Sequence, residues 1–184
     1  MKKLRGFTLI ELMIAIGIVA ILVRLAAPSF TQLIQSNAMT NTVNSFLSDL
    51  RFARSEAIRR GGGVVMCRSD APEATTPTCV SGSGSTTGWE SGWIIFHDLD
   101  GDGTKDSNEQ VLRAQGPITA VNTIAASSTT NKFQFTATGQ LKLSSMTTLQ
   151  FGSNPPFANE AQRIVCVSVG GRGRISGDGT TSCS

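Results

Sequence analysis

The sequence predicts an α+β protein in which one long amino-terminal helix, hydrophobic in its first half and amphipathic in its second, packs on antiparallel β-sheet structure. Three observations carry that prediction. Phe7 to Val23 holds no charge except Glu11, and apolar residues then recur at helical spacing as far as Gly61-Gly62-Gly63. Beyond the glycines the chain turns to short β-branched and aromatic stretches separated by Gly, Asn, Ser and Pro. A chain of 184 residues holds one ordinary domain plus an extension, because a single core takes about 100–200 residues.

The amino terminus carries Lys2, Lys3 and Arg5, and a small residue, Gly6, stands before the apolar run. A secretory signal has its small-residue cleavage site after that run. A cut after Gly6 removes the basic leader and keeps the apolar segment, which therefore has a use in the mature chain. At about 1.5 Å of rise per residue it is long enough for a marginal membrane span. Glu11 is the anomaly, since a carboxylate in an apolar helix is costly unless it has a task. At the fifth position after the cut it is placed to pair with the new terminal ammonium of a neighbouring subunit. Basic leader residues hold the amino terminus in the cytoplasm, which puts Arg24 near the opposite face, where it snorkels to headgroups. With Lys2, Lys3 and Arg5 removed, the formal charge of +3 falls to about zero, so overall charge says nothing about nucleic acid.

From Ser29 the apolar pattern narrows to one face: Phe30, Leu33, Ile34, then Val43, Phe46, Leu47, Leu50, Ala53, Ala57 and Ile58. The helix thus continues out of the membrane and lays that face on a domain. Its other side carries Arg51, Arg54, Arg59 and Arg60, a solvated basic face that suits the carboxy-terminal end of the helix dipole, with a binding role as the competing reading. The three glycines end it as a cap.

Strands follow at Val64–Cys67, Gly92–Phe96, Gln110–Arg113, Lys132–Thr136, Thr148–Phe151 and Arg163–Val169. Their antiparallel sheet has an apolar face that the amphipathic half of the helix covers. Ser69 to Gly88, rich in Ser, Thr, Gly and Pro, is a long loop. Cys67, Cys79, Cys166 and Cys183 lack paired zinc-type spacing and imply two disulfides in an oxidising compartment. Four cysteines allow three connectivities, which sequence alone does not separate. Cys67–Cys79 with Cys166–Cys183 is favoured, because each closes a short segment with little core of its own.

The run Arg5-Gly6-Phe7-Thr8-Leu9-Ile10-Glu11-Leu12 resembles the leader of type IV pilins and type II secretion pseudopilins, and Pro28 matches that family's helix-kinking proline. The resemblance implies a type IV pilin-like fold, cleavage after Gly6 by a prepilin peptidase at the inner membrane, methylation of the Phe7 amine, and assembly with other pilins in a filament that uses Glu11. The corresponding organisation is a leader at 1–6, a transmembrane and filament-core helix at 7–28, an amphipathic helix at 29–61, and a β-rich periplasmic domain at 62–184. The protein would sit in the inner membrane with one span before reaching the pilus and cell surface. Arg51-Phe-Ala-Arg-Ser-Glu-Ala57, Gly92-Trp93-Ile94-Ile95-Phe96 and Phe135-Thr-Ala-Thr-Gly139 further resemble the carboxy-terminal domain of GspH/FimT/FimU minor pilins.

Two constellations carry chemistry. Asp98, Asp100, Asp102, Thr104, Asp106 and Glu109, with Gly103 at the sixth place, match a twelve-residue calcium loop position by position. The flanks read as strands where that loop needs helices, so an acidic hairpin loop is the competing reading. Gly170-Gly171-Arg172-Gly173-Arg174 places two arginines two apart after a strong strand. Alternate residues of an extended segment face one way, and guanidinium forks suit phosphate oxygens. Without an aromatic platform such a contact is weak, salt-sensitive and indifferent to sequence.

This stretch resembles the Gly-Arg-x-Arg motif of FimT-type pilins, here Gly171, Arg172 and Arg174. The resemblance implies binding of double-stranded DNA during uptake in natural transformation. The alternative is a minor pilin or type II secretion pseudopilin that primes filament assembly through protein contacts only. No catalytic residue is expected: His97 is the single histidine and reads as a strand-end residue. Trp89 and Trp93 read as residues that anchor the core or cover the loop.

Overall fold

The computed structural model describes residues 8–80, 88–127, 130–152, 161–179 and 182–183, with the side chains of 25–29 and 31–32 outside that set. The expected cut and methylation at Gly6 and Phe7, and the side chain of Pro28, lie outside the described residues.

One helix, α1, runs from Leu9 to Arg60. Thr8 caps its start: the Thr8 backbone and hydroxyl donate to Glu11 Oε2, and the Glu11 N–H donates to Thr8 Oγ1, each at 3.3 Å. This is a reciprocal capping box, a local task for Glu11 that the Thr-x-x-Glu spacing already spells out. Gly61, Gly62 and Gly63 all have positive φ, so the helix ends where residues without a Cβ let it turn back.

Two units divide between Asn37 and Ala38. In the first, Leu9 to Val23 is apolar and exposed, as are Phe30, Leu33 and Ile34. In the second, the buried helix face begins at Met39 and continues through Val43, Phe46, Leu47, Leu50, Ala53 and Ala57. The amphipathic packing therefore starts later than Phe30, and Ile58, expected on the buried face, is 53% exposed.

The strands are β1 Val64–Arg68, β2 Trp93–His97, β3 Val111–Gln115, β4 Ile124–Ala126, β5 Lys132–Phe135, β6 Thr147–Phe151, β7 Arg163–Val167 and β8 Gly173–Gly177. They form two antiparallel sheets of four, ordered β3-β2-β1-β5 and β4-β6-β7-β8, where a single sheet of consecutive strands was expected. The first sheet closes by pairing β1 with β5, Val64 opposite Phe135, a long-range pairing that local pattern does not reveal. Both edges of the second sheet are unexpected. β4 is only Ile-Ala-Ala, and β8 begins and ends on glycine, so neither has a strong β signal.

Both sheets contribute to one core with α1: Val64, Met66, Trp93, Ile95, Phe133 and Phe135 from the first, Ile124, Leu149, Phe151, Val165 and Val167 from the second. Phe46 stands at its centre in edge-to-face contact with Trp89, Trp93, Phe133 and Phe151, at centroid distances of 5.5, 5.4, 6.3 and 5.6 Å. Edge-to-face pairs add about 0.5–1.5 kcal/mol each beyond the area they bury. The Trp93 indole donates to Asp49 at 2.9 Å, and Arg113 donates to the other Asp49 oxygen at 2.6 Å. That buried carboxylate is thus paired, which removes most of the penalty for its burial.

The other face of the first sheet holds a small second cluster of Val65, Cys67, Ile94 and Phe96, against which Cys79 packs. Cys67–Cys79 and Cys166–Cys183 are the two disulfides. The first holds the loop after β1 over this cluster, assisted by Val80 N–H donating to Arg68 O.

Candidate nucleic-acid interface

The β7–β8 connection is a tight hairpin. Gly171 N–H donates to Ser168 O at 2.9 Å, and Ser168 N–H donates to Arg172 O at 3.0 Å. Gly171 has φ 72°, and a Cβ there would run into the Gly139 carbonyl oxygen. A Cβ on Gly173 would lie 2.6 Å from Leu47 and 2.8 Å from Leu50. Both glycines are therefore needed for packing, which presses the hairpin against α1 and against the turn after β5. Gly139, at φ 74°, is required in its turn: a Cβ there would stand 2.8 Å from Arg54 Nε. Three segments far apart in sequence, Arg51–Ala57, Phe135–Gly139 and Gly171–Arg174, thus meet at one place.

Between them lies an open groove of about 510 Å³, lined by Arg51, Arg54, Ser55 and Ile58 of α1 and by Gly171 to Gly173. Arg172 and Arg174 are both exposed; Arg172 lines the groove, while Arg174, opposite Cys166 in the β-ladder, lies beyond its lining. Among the described residues, the guanidiniums of Arg51, Arg54 and Arg172 have no salt bridge and no hydrogen bond. Arg54 Nε is buried without a partner.

The last turn of α1 behaves differently. Glu56 takes Arg59 at 3.0 Å and Arg60 at 2.9 Å. Hydrogen bonds from Arg59 and then Arg60 pull its carboxyl from 4.5 down to about 2, and Glu56 in turn raises Arg59. The four helix arginines, expected as one solvated face, are two sets: Arg59 and Arg60 share the Glu56 carboxylate, and Arg51 and Arg54 have none among the described residues. His97 ends β2 as expected, with Nδ1 3.5 Å from Arg60.

The acidic segment closes the β2–β3 hairpin, so the strand flanks read from the sequence are present. Asp98 is buried; its Oδ1 accepts Gly101 N–H at 2.7 Å and its Oδ2 accepts Gly103 N–H at 3.0 Å. Glu109, also buried, accepts Leu99 N–H at 2.7 Å and Asp106 N–H at 2.9 Å. Thr104 N–H donates to Asp102 at 2.6 Å. The carboxylates of Asp98, Asp100 and Asp102 approach within 4.8 Å of one another, a set of oxygens of the kind calcium takes. Among the described residues Asp106 and Glu109 do not join that set. Asp106 is instead pushed above 3.8 by desolvation, then by the charges of Asp100, Asp102 and Glu109.

Among the described residues, no helix is long and apolar enough to cross a membrane; the expected span at 7–28 extends past them at Phe7 and at the side chains of 25–28.

Residues 42–173 match the family described as type II transport protein GspH, and residues 1–23 match the prokaryotic N-terminal methylation motif. Over 78 residues the sequence is 37% identical to prepilin peptidase-dependent protein D of Escherichia coli (strain K12); the match takes in 42% of this chain and 53% of that relative, about half its length. The fold is similar to two crystal forms of the type IV minor pilin FimU of Pseudomonas aeruginosa (strain PAO1). One has a TM-score of 0.57 at 18% identity, covering 76% of this chain and 89% of FimU. The other has a TM-score of 0.52 at 19% identity, covering 74% and 91%.

Proposed function

The chain belongs to the GspH family of minor pilins and pseudopilins, and from that premise we propose that it is a minor type IV pilin that binds double-stranded DNA for uptake in natural transformation. Its working life begins in the inner membrane, where a prepilin peptidase cuts after Gly6 and the Phe7 amine is methylated. The helix over 7–28 anchors it there in one span, with the carboxy-terminal domain in the periplasm, until it joins other pilins at the cell surface. The exposed apolar side chains from Leu9 to Val23 support that route, because exposed apolar area of this extent is stable only against lipid or protein. Glu11 adds the carboxylate that meets a neighbour's terminal ammonium during assembly.

DNA is held at Gly171, Arg172 and Arg174. The observation that carries this reading is Arg172: exposed, fixed by a glycine hairpin, and without an acidic partner among the described residues. A guanidinium so placed is available to phosphate. The test is a gel shift with the full-length chain in detergent. Retardation that weakens with salt and is lost in Arg172→Ala/Arg174→Ala is expected; binding unchanged in that variant removes the motif. A chain that assembles with pilins and retards no DNA is a minor pilin or pseudopilin that primes filaments through protein contacts alone, the reading that the exposed apolar helix would favour by itself.

A further inference from the structure

We propose that Arg51 and Arg54 of α1, together with Arg172, form a seat for the phosphodiester backbone, so that the DNA contact extends from the hairpin onto the helix. The inference rests on the DNA reading above and adds to it two residues that the Gly-Arg-x-Arg motif does not contain.

The groove brings three permanent positive charges together on one lining. Like charges so placed repel one another, and among the described residues no carboxylate offsets them. The contrast one turn further on is direct, for Glu56 pairs with both Arg59 and Arg60. Arg54 adds a second, independent sign. Its Nε is buried and has no hydrogen-bond partner, a state that costs desolvation without return. Gly139 packs close against that nitrogen, since a Cβ there would stand 2.8 Å from it. An anion entering the groove relieves the repulsion and gives the Arg54 guanidinium the counter-charge it lacks among the described residues.

A phosphate chain fits this chemistry better than an acidic protein segment. Planar guanidinium forks bind phosphate oxygens bidentately, and a duplex offers regularly repeated single charges to several guanidiniums at once, with counterion release as the driving term. Gly171 and Gly173 let the hairpin pack tightly on the Gly139 turn and on α1, which holds the exposed Arg172 side chain on the same lining as Arg51 and Arg54.

The experiment is fluorescence anisotropy with the full-length chain in detergent and a short labelled DNA duplex, titrated across salt concentration. Arg51→Gln/Arg54→Gln is expected to bind about tenfold more weakly and to flatten the salt dependence by about two units of log–log slope. Arg54→Lys keeps the charge but not the fork, and should recover the slope with only part of the affinity. Arg59→Gln, which alters an already paired arginine, should leave both unchanged. Melting temperatures of all variants are measured alongside, and exposed Arg51→Gln alone serves if Arg54 variants fold poorly. If Arg172→Ala/Arg174→Ala abolishes binding while Arg51→Gln/Arg54→Gln matches the wild type in affinity and slope, the helix is no part of the seat and the inference falls alone. If wild-type binding is absent or survives Arg172→Ala/Arg174→Ala, the DNA reading itself fails. If poly-glutamate displaces the duplex at equal charge concentration, the groove takes acidic protein and the inference is overturned.

Discussion

The β2–β3 connection, with five carboxylates and one lysine, and the β7–β8 connection, with Arg172, are both glycine-containing hairpin loops, and they treat their charge in opposite ways. In the acidic loop Asp98 and Glu109 each accept two backbone N–H groups, so the charge that looked like a metal site holds the loop's own shape. In the arginine loop the backbone closes itself, Ser168 to Arg172 and Gly171 to Ser168, and Arg172 is left to face a groove. The difference teaches that charge density alone does not mark a site. What marks it is whether the fold has already found partners for the charge.

If Asp98 is structural, its loss should be the largest effect. Asp98→Ala leaves the Gly101 and Gly103 amides without their acceptor beside a buried position, and should cost about 2–3 kcal/mol in urea unfolding, with DNA affinity unchanged. Calcium tests the other occupant directly. An equal melting temperature in calcium and in chelator leaves the loop as a self-capped hairpin, whereas a calcium-dependent rise abolished by Asp100→Ala would seat the ion. The converse holds for the arginine loop, where Arg172→Ala should change binding and not stability.

Much of this contrast was open to a reader of the sequence. The long helix, its glycine end and the inward faces of β5 and β6 follow from periodicity, because side chains at helical or alternating spacing share a side whatever the tertiary fold, whereas β1, β2 and β7 are continuous apolar runs buried on both faces. The division into two sheets does not follow, since it depends on β1 meeting β5 across the whole β2–β4 segment. The arginines were half legible. Glu56 lies three and four residues before Arg59 and Arg60, the spacing at which helix side chains touch. Arg51 and Arg54 have no acid at those spacings on either side, so their unpaired state could have been read from the helix alone. Their meeting with Arg172 could not, because it requires Gly139 and Gly171 to pack on each other from separate hairpins.

The Glu56 pairs give the next effect in size. Glu56→Gln should cost about 0.5–1 kcal/mol at neutral pH, the range for exposed helix pairs. Because the folded carboxyl is depressed from 4.5 to about 2, its stabilisation is complete above 4.5 and is lost as the pH falls through that window. Urea midpoints measured from pH 6 down to about 2 should therefore converge for wild type and Glu56→Gln. Two curves that stay parallel would mean that Arg59 and Arg60 do not hold the Glu56 carboxyl down. The same substitution frees Arg59 and Arg60, and DNA binding should then strengthen slightly, which connects the paired set of arginines to the unpaired one.

Asp106 should show the smallest effect, and of opposite sign. Desolvation, followed by repulsion from Asp100, Asp102 and Glu109, raises its carboxyl above 3.8, and Lys105 opposes the shift. A raised carboxylate binds its proton more tightly in the folded chain, so its ionised form weakens the fold at neutral pH and protonation relieves the loss as pH falls through the raised value toward 3.8. Asp106→Asn keeps the backbone N–H that Glu109 accepts and removes the charge. It should be slightly more stable than wild type at pH 7, and the gap should close on acidification, the reverse dependence on charge from Glu56→Gln. A gap that is insensitive to pH would mean that the Asp106 charge is not what weakens the fold. The two loops would then differ only in which charges they leave exposed, not in how strongly those charges strain them.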